Sequence, residues 1–296
     1  FMVSQILALR QQGRPLTEMV GFYRTHSQSR VIEEELLRYN IPYRIIGGVK
    51  FYARREIKDL LAYLKVIYNP GDEVSLLRII NVPKRSIGDT TVDKIKQFAQ
   101  SHHMPVFSAL PNFAHGASGK LKTSLMGFYQ LIEELREESR HATVSELLQM
   151  ISDKTGYVEE LRVENTLDSK GRIENIREFA GSVTEFEESL SGESEQTMLG
   201  RYLEFISLQT DQDDLANVTE TFNLMTFHSA KGLEFPVVFM LGMEEGLMPH
   251  GNALSMPENE LEEERRLCYV GMTRAMEKLY MIYASERKLF GFTKRQ

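Results

Sequence analysis

The sequence predicts an α/β fold in which a parallel-sheet domain is interrupted by a mostly α-helical insertion. Strand and helix patterns alternate in the first segment of the chain, helical periodicity dominates the middle, and strand patterns return near the end. Alternating strands and helices are typical of a parallel sheet, because each parallel strand needs a crossover connection. We therefore expect residues 1–51 and 219–296 to form one domain and residues 52–218 to form the inserted one.

Each element of the first segment has its own signal. Residues 2–12 have helical periodicity that ends at the polar QQGRP, and residues 19–25 form a short apolar run typical of a buried strand. Residues 27–40 begin with Ser, end with Asn and carry apolar side chains on one helical face. Residues 41–48 are a second strand pattern closed by two glycines. This strand, helix, strand order is the building unit of a parallel sheet.

The middle and final segments differ in their periodicity. In the middle, apolar residues recur three or four apart, and two polar stretches, residues 111–120 and 191–196, are typical of linkers. The final segment contains the strand patterns FNLMTF, PVVFMLG and KLYMIYA, with the helical pattern NELEEERRLCYVGMTRAM before the last of them. Because strand character returns at both ends, we expect the two ends to share one sheet.

Composition excludes several classes of protein. Of the 296 residues 42% are hydrophobic and 26% are charged, and no apolar run approaches the roughly 18 residues of a membrane helix. The single cysteine, Cys268, excludes an internal disulfide and any multi-cysteine metal site. The first residues lack a signal-peptide pattern. We expect a cytoplasmic protein without a membrane segment and without a metal site in this chain.

Charge is unevenly distributed along the chain. The net charge is −7, yet residues 1–100 contain 16 Lys and Arg against 10 Asp and Glu. A nucleic-acid partner would therefore have to bind local basic patches, because the overall field repels it.

The stretch TFHSAKGLEF places polar side chains directly after one predicted strand and before the next. Ligands of parallel sheets bind beyond the carboxyl ends of the strands, which is where this loop is expected. Thr226 and His228 alternate along the chain, are predicted to share one face, and can hydrogen-bond a phosphate or sugar. Lys231 and Gly232 follow, and Glu234 could accept hydrogen bonds from a ribose. The alternative is a solvated turn with an ordinary histidine.

The stretch EEERRLCYVGMTRAMEKLYM places three arginines along a helix and at its end. Arginine suits a phosphate, because its planar guanidinium binds pairs of oxygens and stays charged. Arg274, at the junction with the last strand, is the best candidate ligand. Arg265 and Arg266 could instead pair with Glu262–Glu264 at helical spacing.

These two stretches resemble motifs V and VI of the superfamily 1 DNA helicases of the UvrD, Rep and PcrA group. Further segments resemble the same family in the same order, namely FYRTHSQSR, GGVKFYARREIKDLLAYLKVIYNP, RIINVPKRSIG and GMEEGLMPH. The resemblance covers nearly the whole chain and is strongest to the PcrA-like members. It implies that the sheet domain is the second RecA-like domain, 2A, and that the helical insertion is domain 2B.

The resemblance also implies a function. It points to an ATP-dependent helicase that moves 3′ to 5′ along single-stranded DNA and unwinds duplexes at single-strand/double-strand junctions in DNA repair and replication. ATP with Mg²⁺ would bind between domains 1A and 2A. By matching position, Arg274 is implied as an arginine finger at the γ-phosphate, and Gly232 and Glu234, beside Lys231, as nucleotide contacts.

DNA contacts are implied in both domains. Single-strand contacts are implied for Arg24, His26, Thr226, His228, His250 and the aromatic Phe290. In 2B, NVPKRSIG resembles the family's GIG element, which implies duplex-backbone contacts for Lys84, Arg85 and Gly88 beside the helix start near Thr90. Ser86 stands where the family has the first glycine, which costs stability if that position has a positive φ. The alternative is an ordinary helix–loop–helix corner with solvated lysines.

Several family motifs have no match in the sequence. The nearest string to the phosphate-binding pattern G-x-x-x-x-G-K-[ST] is HGASGKL, which is preceded by Ala114 where the first Gly is required and ends in Leu121 where Ser or Thr is required. The acidic DExx-like box and the NYRS-like motif IV have no match either. We therefore expect a C-terminal part with most of 2A and all of 2B, whose partners include the missing domains 1A and 1B and repair or replication proteins. The Mg²⁺ ligands would lie outside it, and we expect it to be inactive alone.

Two other interpretations stay open. One is the helicase part of a RecB-like or AddA-like helicase–nuclease, which requires a nuclease domain further along the polypeptide. The other is a non-catalytic scaffold that binds nucleic acid with the same fold.

Overall fold

A computed structural model describes residues 1–190, 196–211, 220–251, 257–289 and 292–295. The chain divides into two compact units, one of Phe1–Arg54 with Leu208–Gln296 and one of Arg55–Ser207. The predicted domain boundary at residue 52 is near the start of the second unit, and the predicted boundary at residue 218 lies outside the described residues.

Helices make up most of the described part of the chain, and its strands are short. The helices are α1 (Met2–Gln11), α2 (Ser29–Arg38), α3 (Arg55–Tyr68), α4 (Glu73–Ile79), α5 (Asp89–Ser101), α6 (Val106–Gly116), α7 (Gly119–Glu138), α8 (Val144–Thr155), α9 (Tyr157–Glu164), α10 (Leu167–Ser189), α11 (Met198–Asp211) and α12 (Glu258–Met272). The strands are β1 (Met19–Tyr23), β2 (Tyr43–Ile46), β3 (Phe222–Thr226), β4 (Phe235–Leu241), β5 (Gly246–Leu247), β6 (His250–Gly251), β7 (Ala275–Ile282), β8 (Glu286–Leu289) and β9 (Phe292–Arg295).

The first unit is built on a parallel sheet with strand order β2-β3-β1-β4-β7. Strand β1 lies between β3 and β4, with Gly21 paired to Leu224 on one side and to Phe239 on the other. Strands from both ends of the chain therefore share one sheet, which confirms the predicted α/β fold with a parallel sheet.

Both faces of this sheet are covered, and this explains why its three central strands, β3, β1 and β4, are buried and apolar along most of their length. Met19 and Tyr23 of β1 belong to a core that includes Ile6 of α1 and Leu36 of α2. Val20 and Phe22 of β1 belong to a second core on the other face, together with Leu267 of α12. Helix α12 is thus positioned by the apolar side chains of one sheet face.

Gly271 lets α12 approach the sheet closely. A Cβ atom at this position would meet the ring of the buried Phe227 at 2.7 Å. We expect Gly271→Ala to destabilise the protein by up to about 2 kcal/mol, because overpacking costs about 1–3 kcal/mol against about 1 kcal/mol gained in helix propensity. Urea unfolding measures the change. Gly127→Ala in α7 is the control, because nothing lies within 4 Å of its added Cβ and it should stabilise the protein.

The second unit is helical, with α3 as its most buried helix. Ten of the 14 residues of α3 are buried, and the helix contacts α4, α7, α8 and α10. The predicted linker at residues 111–120 is wrong, because α6 continues through Pro111 to Gly116 and α7 begins at Gly119. Apolar Val106, Phe107 and Leu110 bury this helix, so packing outweighs the Pro and Gly signals. The second predicted linker, residues 191–196, lies almost wholly outside the described residues.

Candidate functional site

The loop between β3 and β4 begins with a tight turn that separates two of the predicted site residues. Strand β3 ends at Thr226, and the backbone enters the α region at Phe227 and forms a 3₁₀ turn over His228–Ala230. The Thr226 hydroxyl accepts a hydrogen bond from the Ser229 N–H at 3.2 Å. Thr226 is buried and His228 is exposed, so the prediction of a shared face is wrong. The alternation ends because the strand ends.

A buried carboxylate, Glu264 of α12, joins two predicted DNA contacts. Arg24 follows β1, and its Nε and Nη2 donate to Glu264 Oε1 at 2.8 and 2.6 Å. Glu264 Oε2 accepts from the main-chain N–H of His250 at 2.9 Å. The Glu264 side chain is only 7% exposed and that of Arg24 is 19% exposed. The ion pair is therefore largely desolvated, and the Arg24 side chain keeps some contact with solvent.

His228 lies close enough to this ion pair for both charges to act on its ring. Partial burial and the positive charge of Arg24 lower the pKa of His228, and the negative charges of Glu264 and Glu263 oppose this shift. A neutral imidazole at neutral pH can both donate and accept a hydrogen bond. We call Arg24, His228, His250 and Glu264 the Glu264 cluster.

His26 lies in a different environment from the Glu264 cluster. Its ring packs edge-on against Tyr23, and its Nδ1 is 3.3 Å from the Tyr23 hydroxyl. Burial, and then the positive charge of Arg54, lower the pKa of His26. Arg54 is buried beside Glu33, whose carboxylate accepts hydrogen bonds from the Tyr43 hydroxyl and the Phe51 N–H. This network fixes the residues before α3.

His26 should make the protein less stable in mild acid. Because the folded-state pKa of His26 is lowered, the unfolded chain takes up a proton first as the pH falls through about 6.5, and folding stability is lost there by at most about 1.4 kcal/mol per pH unit. His26→Asn should remove this loss. Urea unfolding at pH 7.5 and 5.5 measures it, with His115→Asn as an exposed-site control. An unchanged pH dependence in His26→Asn would show that the ring is not responsible.

Arg274 and the second half of the β3–β4 loop are hydrogen-bonded to each other. Arg274 Nη1 donates to the Leu233 carbonyl at 3.2 Å, and the Phe235 N–H donates to the Arg274 carbonyl at 2.9 Å. Lys231, Gly232 and Glu234 are exposed in this loop, so their polar groups are open to solvent. Gly232 has φ +83°, a conformation that favours glycine. The structure thus brings the predicted nucleotide contacts together.

Arg265 and Arg266 are not part of this site. They form ion pairs with Glu262 and Glu263 one helical turn earlier, and all four side chains are exposed. This confirms pairing at helical spacing and leaves Arg274, just after α12, as the candidate ligand among the three arginines.

In the second unit, the predicted duplex-contact loop is held together from inside by Arg85. Its Nη1 donates to the carbonyls of Ile79 and Pro83 at 3.0 and 3.2 Å, and its Nη2 donates to the Tyr63 hydroxyl at 2.5 Å. The guanidinium also lies 5.2 Å from the ring centre of Phe128. Arg85 is thus turned inward, contrary to the implied phosphate contact, because its donors are used by the carbonyls of the loop and by Tyr63.

The outer surface of this loop carries the other predicted contacts. Lys84, Ser86 and Gly88 are exposed, and Gly88 is the N-cap residue of α5. Ser86 has φ +62°, so the position does require the conformation that a glycine adopts more readily. An open cleft of about 670 Å³ beside the loop is lined by Lys84, Lys120 and Lys154, among others. Its basic side chains suit a polyanion.

Sequence reasoning missed Glu264 as a functional residue. It was grouped with the solvent-exposed Glu262 and Glu263, although its spacing from Leu267 and Gly271 places it on the buried face of α12. The helical spacing of these three positions is the sequence signal that could have identified Glu264 as buried. Phe290 lies outside the described residues, and β8 and β9 form a hairpin on either side of it.

Two other kinds of feature are absent from the described residues. No helix there is long and apolar enough to span a bilayer. No group of three or more His, Cys, Asp or Glu residues in that part of the chain is placed to hold a metal ion.

Comparison with known proteins identifies the family. Residues 1–286 match the model of the UvrD-like helicase C-terminal domain. The ATP-dependent DNA helicase PcrA of Staphylococcus aureus (strain Mu50 / ATCC 700699) is 44% identical over 293 residues, which are 98% of this chain and 40% of that protein. PcrA of Staphylococcus epidermidis (strain ATCC 12228 / FDA PCI 1200) gives the same identity and coverage. The chain spans about 40% of the length of these relatives. It belongs to the UvrD-like helicase C-terminal domain family.

Proposed function

We propose that this chain is the C-terminal part of an ATP-dependent DNA helicase that moves 3′ to 5′ along single-stranded DNA. One observation carries the proposal: the β3–β4 loop and α12 together hold both groups of predicted contacts. We assign to DNA the exposed His228 of the loop, together with Arg24 and His250, which Glu264 of α12 holds. We assign to the nucleotide Gly232, Glu234 and Arg274, which follows α12 and is hydrogen-bonded to the loop. The relatives are named ATP-dependent DNA helicases, which supports the same activity here.

On the nucleotide side, Arg274 is proposed to act on the γ-phosphate of ATP. Its Nε, Nη1 and Nη2 donate to Val270 O, Leu233 O and Thr273 Oγ1. These bonds fix the guanidinium plane and leave one N–H on each terminal nitrogen for phosphate oxygens. Its positive charge would stabilise the negative charge that develops during phosphoryl transfer. Glu234 is proposed to accept hydrogen bonds from the ribose, beside Lys231 and Gly232.

ATP hydrolysis also needs groups that this chain does not supply. We propose that a phosphate-binding loop and the ligands of Mg²⁺ come from domain 1A, and that the metal bound there neutralises phosphate charge. The residues of this chain fit the complementary wall, because Arg274 and Lys231 are cationic and Glu234 is suited to hydroxyl groups.

On the DNA side, Arg24, His228 and His250 are proposed to contact the backbone and bases of a single strand. Such contacts do not depend on base identity, which suits a protein that moves over any sequence. Thr226 is buried, so we propose that it acts by shaping the turn that exposes His228. His26 and Phe290 remain proposed contacts by matching position.

In the second unit, the duplex backbone is proposed to bind at Lys84 and at the start of α5 after Gly88. Lys120 and Lys154 line the same cleft and extend its positive charge, although Lys154 also pairs with Glu134. Arg85 is proposed to hold the loop rather than to contact DNA.

The proposal is tested with the purified full-length gene product. Its ATP hydrolysis is measured with and without poly(dT). We expect strong stimulation by the DNA, and no hydrolysis by residues 1–296 expressed alone. A full-length protein that binds single-stranded DNA without hydrolysing ATP would instead support a non-catalytic scaffold.

A further inference from the structure

We propose that Glu264 is a positioning residue for single-stranded DNA, which acts by holding Arg24 and the main chain of His250 in their binding geometry. The inference rests on the proposed function, because it takes Arg24 and His250 as DNA contacts. Glu264 itself bears the wrong charge to bind a phosphate. Any effect of Glu264 on DNA binding must therefore act through Arg24 and His250, the residues that it holds.

The geometry of Glu264 is that of a structural connection between three elements. Its carboxylate accepts from Arg24 after β1 and from the N–H of His250 in β6, and it is carried by α12. Arg24 Nε also lies 3.1 Å from Oε2, so both oxygens face this side chain. Such a two-oxygen contact fixes the plane of a guanidinium.

The exposed part of Arg24 is what this contact presents to a ligand. Nε and one N–H of Nη2 are used by Glu264, and the guanidinium has two N–H groups on Nη1 and a second on Nη2. The Arg24 side chain is 19% exposed, so it is partly accessible to a ligand. A fixed guanidinium loses less conformational freedom when it binds phosphate than a mobile one does.

Two effects of Glu264 on DNA binding oppose each other, and this makes the proposal testable. The negative charge repels a polyanion, so a purely electrostatic effect predicts tighter binding when the charge is removed. The positioning effect predicts weaker binding, because Arg24 and the β6 segment lose their common anchor. We expect the positioning effect to dominate, because Arg24 already neutralises much of the charge of Glu264 in the buried pair.

The experiment measures binding of a fluorescein-labelled 20-mer of dT to the full-length protein by anisotropy. Glu264→Ala should weaken binding about tenfold to a hundredfold, as expected for the loss of one charged hydrogen-bonded contact. Glu262→Ala is the matched control, because it removes the same charge from an exposed position of the same helix and should change affinity less than about twofold. The double variant Arg24→Ala/Glu264→Ala should lose less affinity than the sum of the two single losses, because both single variants lose the Arg24 contact.

Salt dependence separates positioning from general destabilisation. The slope of log K against log salt should fall by about 0.7, the value for one lost single-strand phosphate contact, in both Arg24→Ala and Glu264→Ala. If Glu264→Ala does not fold, Glu264→Gln keeps one acceptor oxygen and should bind more weakly than the wild type. The inference is overturned if Glu264→Ala or Glu264→Gln binds the 20-mer as tightly as Glu262→Ala does, or more tightly. A wild-type protein that fails to bind the 20-mer overturns the proposed function as well.

Discussion

Arg274→Ala should lower kcat for ATP hydrolysis by the full-length gene product about 10³-fold or more. The expected loss is large because the guanidinium would stabilise charge that is present only in the transition state, so that kcat falls while KM for ATP changes little. Arg274→Lys should recover only part of the rate, because an ammonium group cannot bind two phosphate oxygens in the fixed fork of a guanidinium. Steady-state kinetics at saturating poly(dT) measures both constants.

Arg266→Ala is the control for Arg274→Ala. Arg266 lies on α12, two turns before Arg274, but it is exposed and paired with Glu263, so its loss should leave kcat within a factor of two of the wild-type value. Arg274 also holds the β3–β4 loop through the Leu233 carbonyl, so circular dichroism should accompany the kinetics. A folded Arg274→Ala protein with kcat within a few-fold of normal would exclude Arg274 as the arginine finger.

Arg85→Ala should destabilise the helical unit by about 2–4 kcal/mol, because it removes the donor to the Pro83 carbonyl, the donor to the Tyr63 hydroxyl and one of two donors to the Ile79 carbonyl. Burial, which raises the pKa of Tyr63, keeps its hydroxyl protonated and makes the lost hydrogen bond costly. Thermal unfolding followed by circular dichroism measures the change.

The neighbouring residue provides the control. Lys84→Ala removes a charge from the exposed side of the same loop, so it should leave the unfolding temperature within about 1 °C and weaken duplex binding instead. Equal unfolding temperatures for Arg85→Ala and the wild type would show that the loop does not depend on the guanidinium. Selective loss of duplex affinity in a stable Arg85→Ala protein would restore its role as a DNA contact.

The α/β fold could be predicted from the sequence because its buried strands appear there as short apolar runs. Strands β1, β3 and β4 are apolar along most of their length, since helices cover both faces, and such runs bounded by turns are typical of parallel sheets. The linker at residues 111–120 was wrong for the opposite reason. Pro and Gly signal local breaks, whereas the burial of α6 is decided by packing that the local sequence does not show.

The site residues were predicted by type, but their orientation was not. Thr226 and His228 differ in exposure because the backbone changes conformation at Phe227, a change that alternation cannot reveal. Lys84 and Arg85 are adjacent and carry the same charge, so the sequence does not distinguish them. In the folded loop, Arg85 donates hydrogen bonds to carbonyls, whereas Lys84 is exposed to solvent. Glu264 could not be predicted as a functional residue because its partners are distant in the sequence. Arg24 is 240 residues away and His250 is 14 residues away, so no helical or strand spacing connects them to it.

The most direct test of the proposed function is the polarity of unwinding by the full-length gene product. Two duplexes of the same sequence, one with a 3′ single-stranded tail and one with a 5′ tail, are incubated with the protein and ATP with Mg²⁺. We expect strand separation of the 3′-tailed duplex only, dependent on ATP hydrolysis and abolished by Arg274→Ala. Separation of the 5′-tailed duplex alone, or of neither duplex by a protein that binds both, would contradict a 3′ to 5′ helicase.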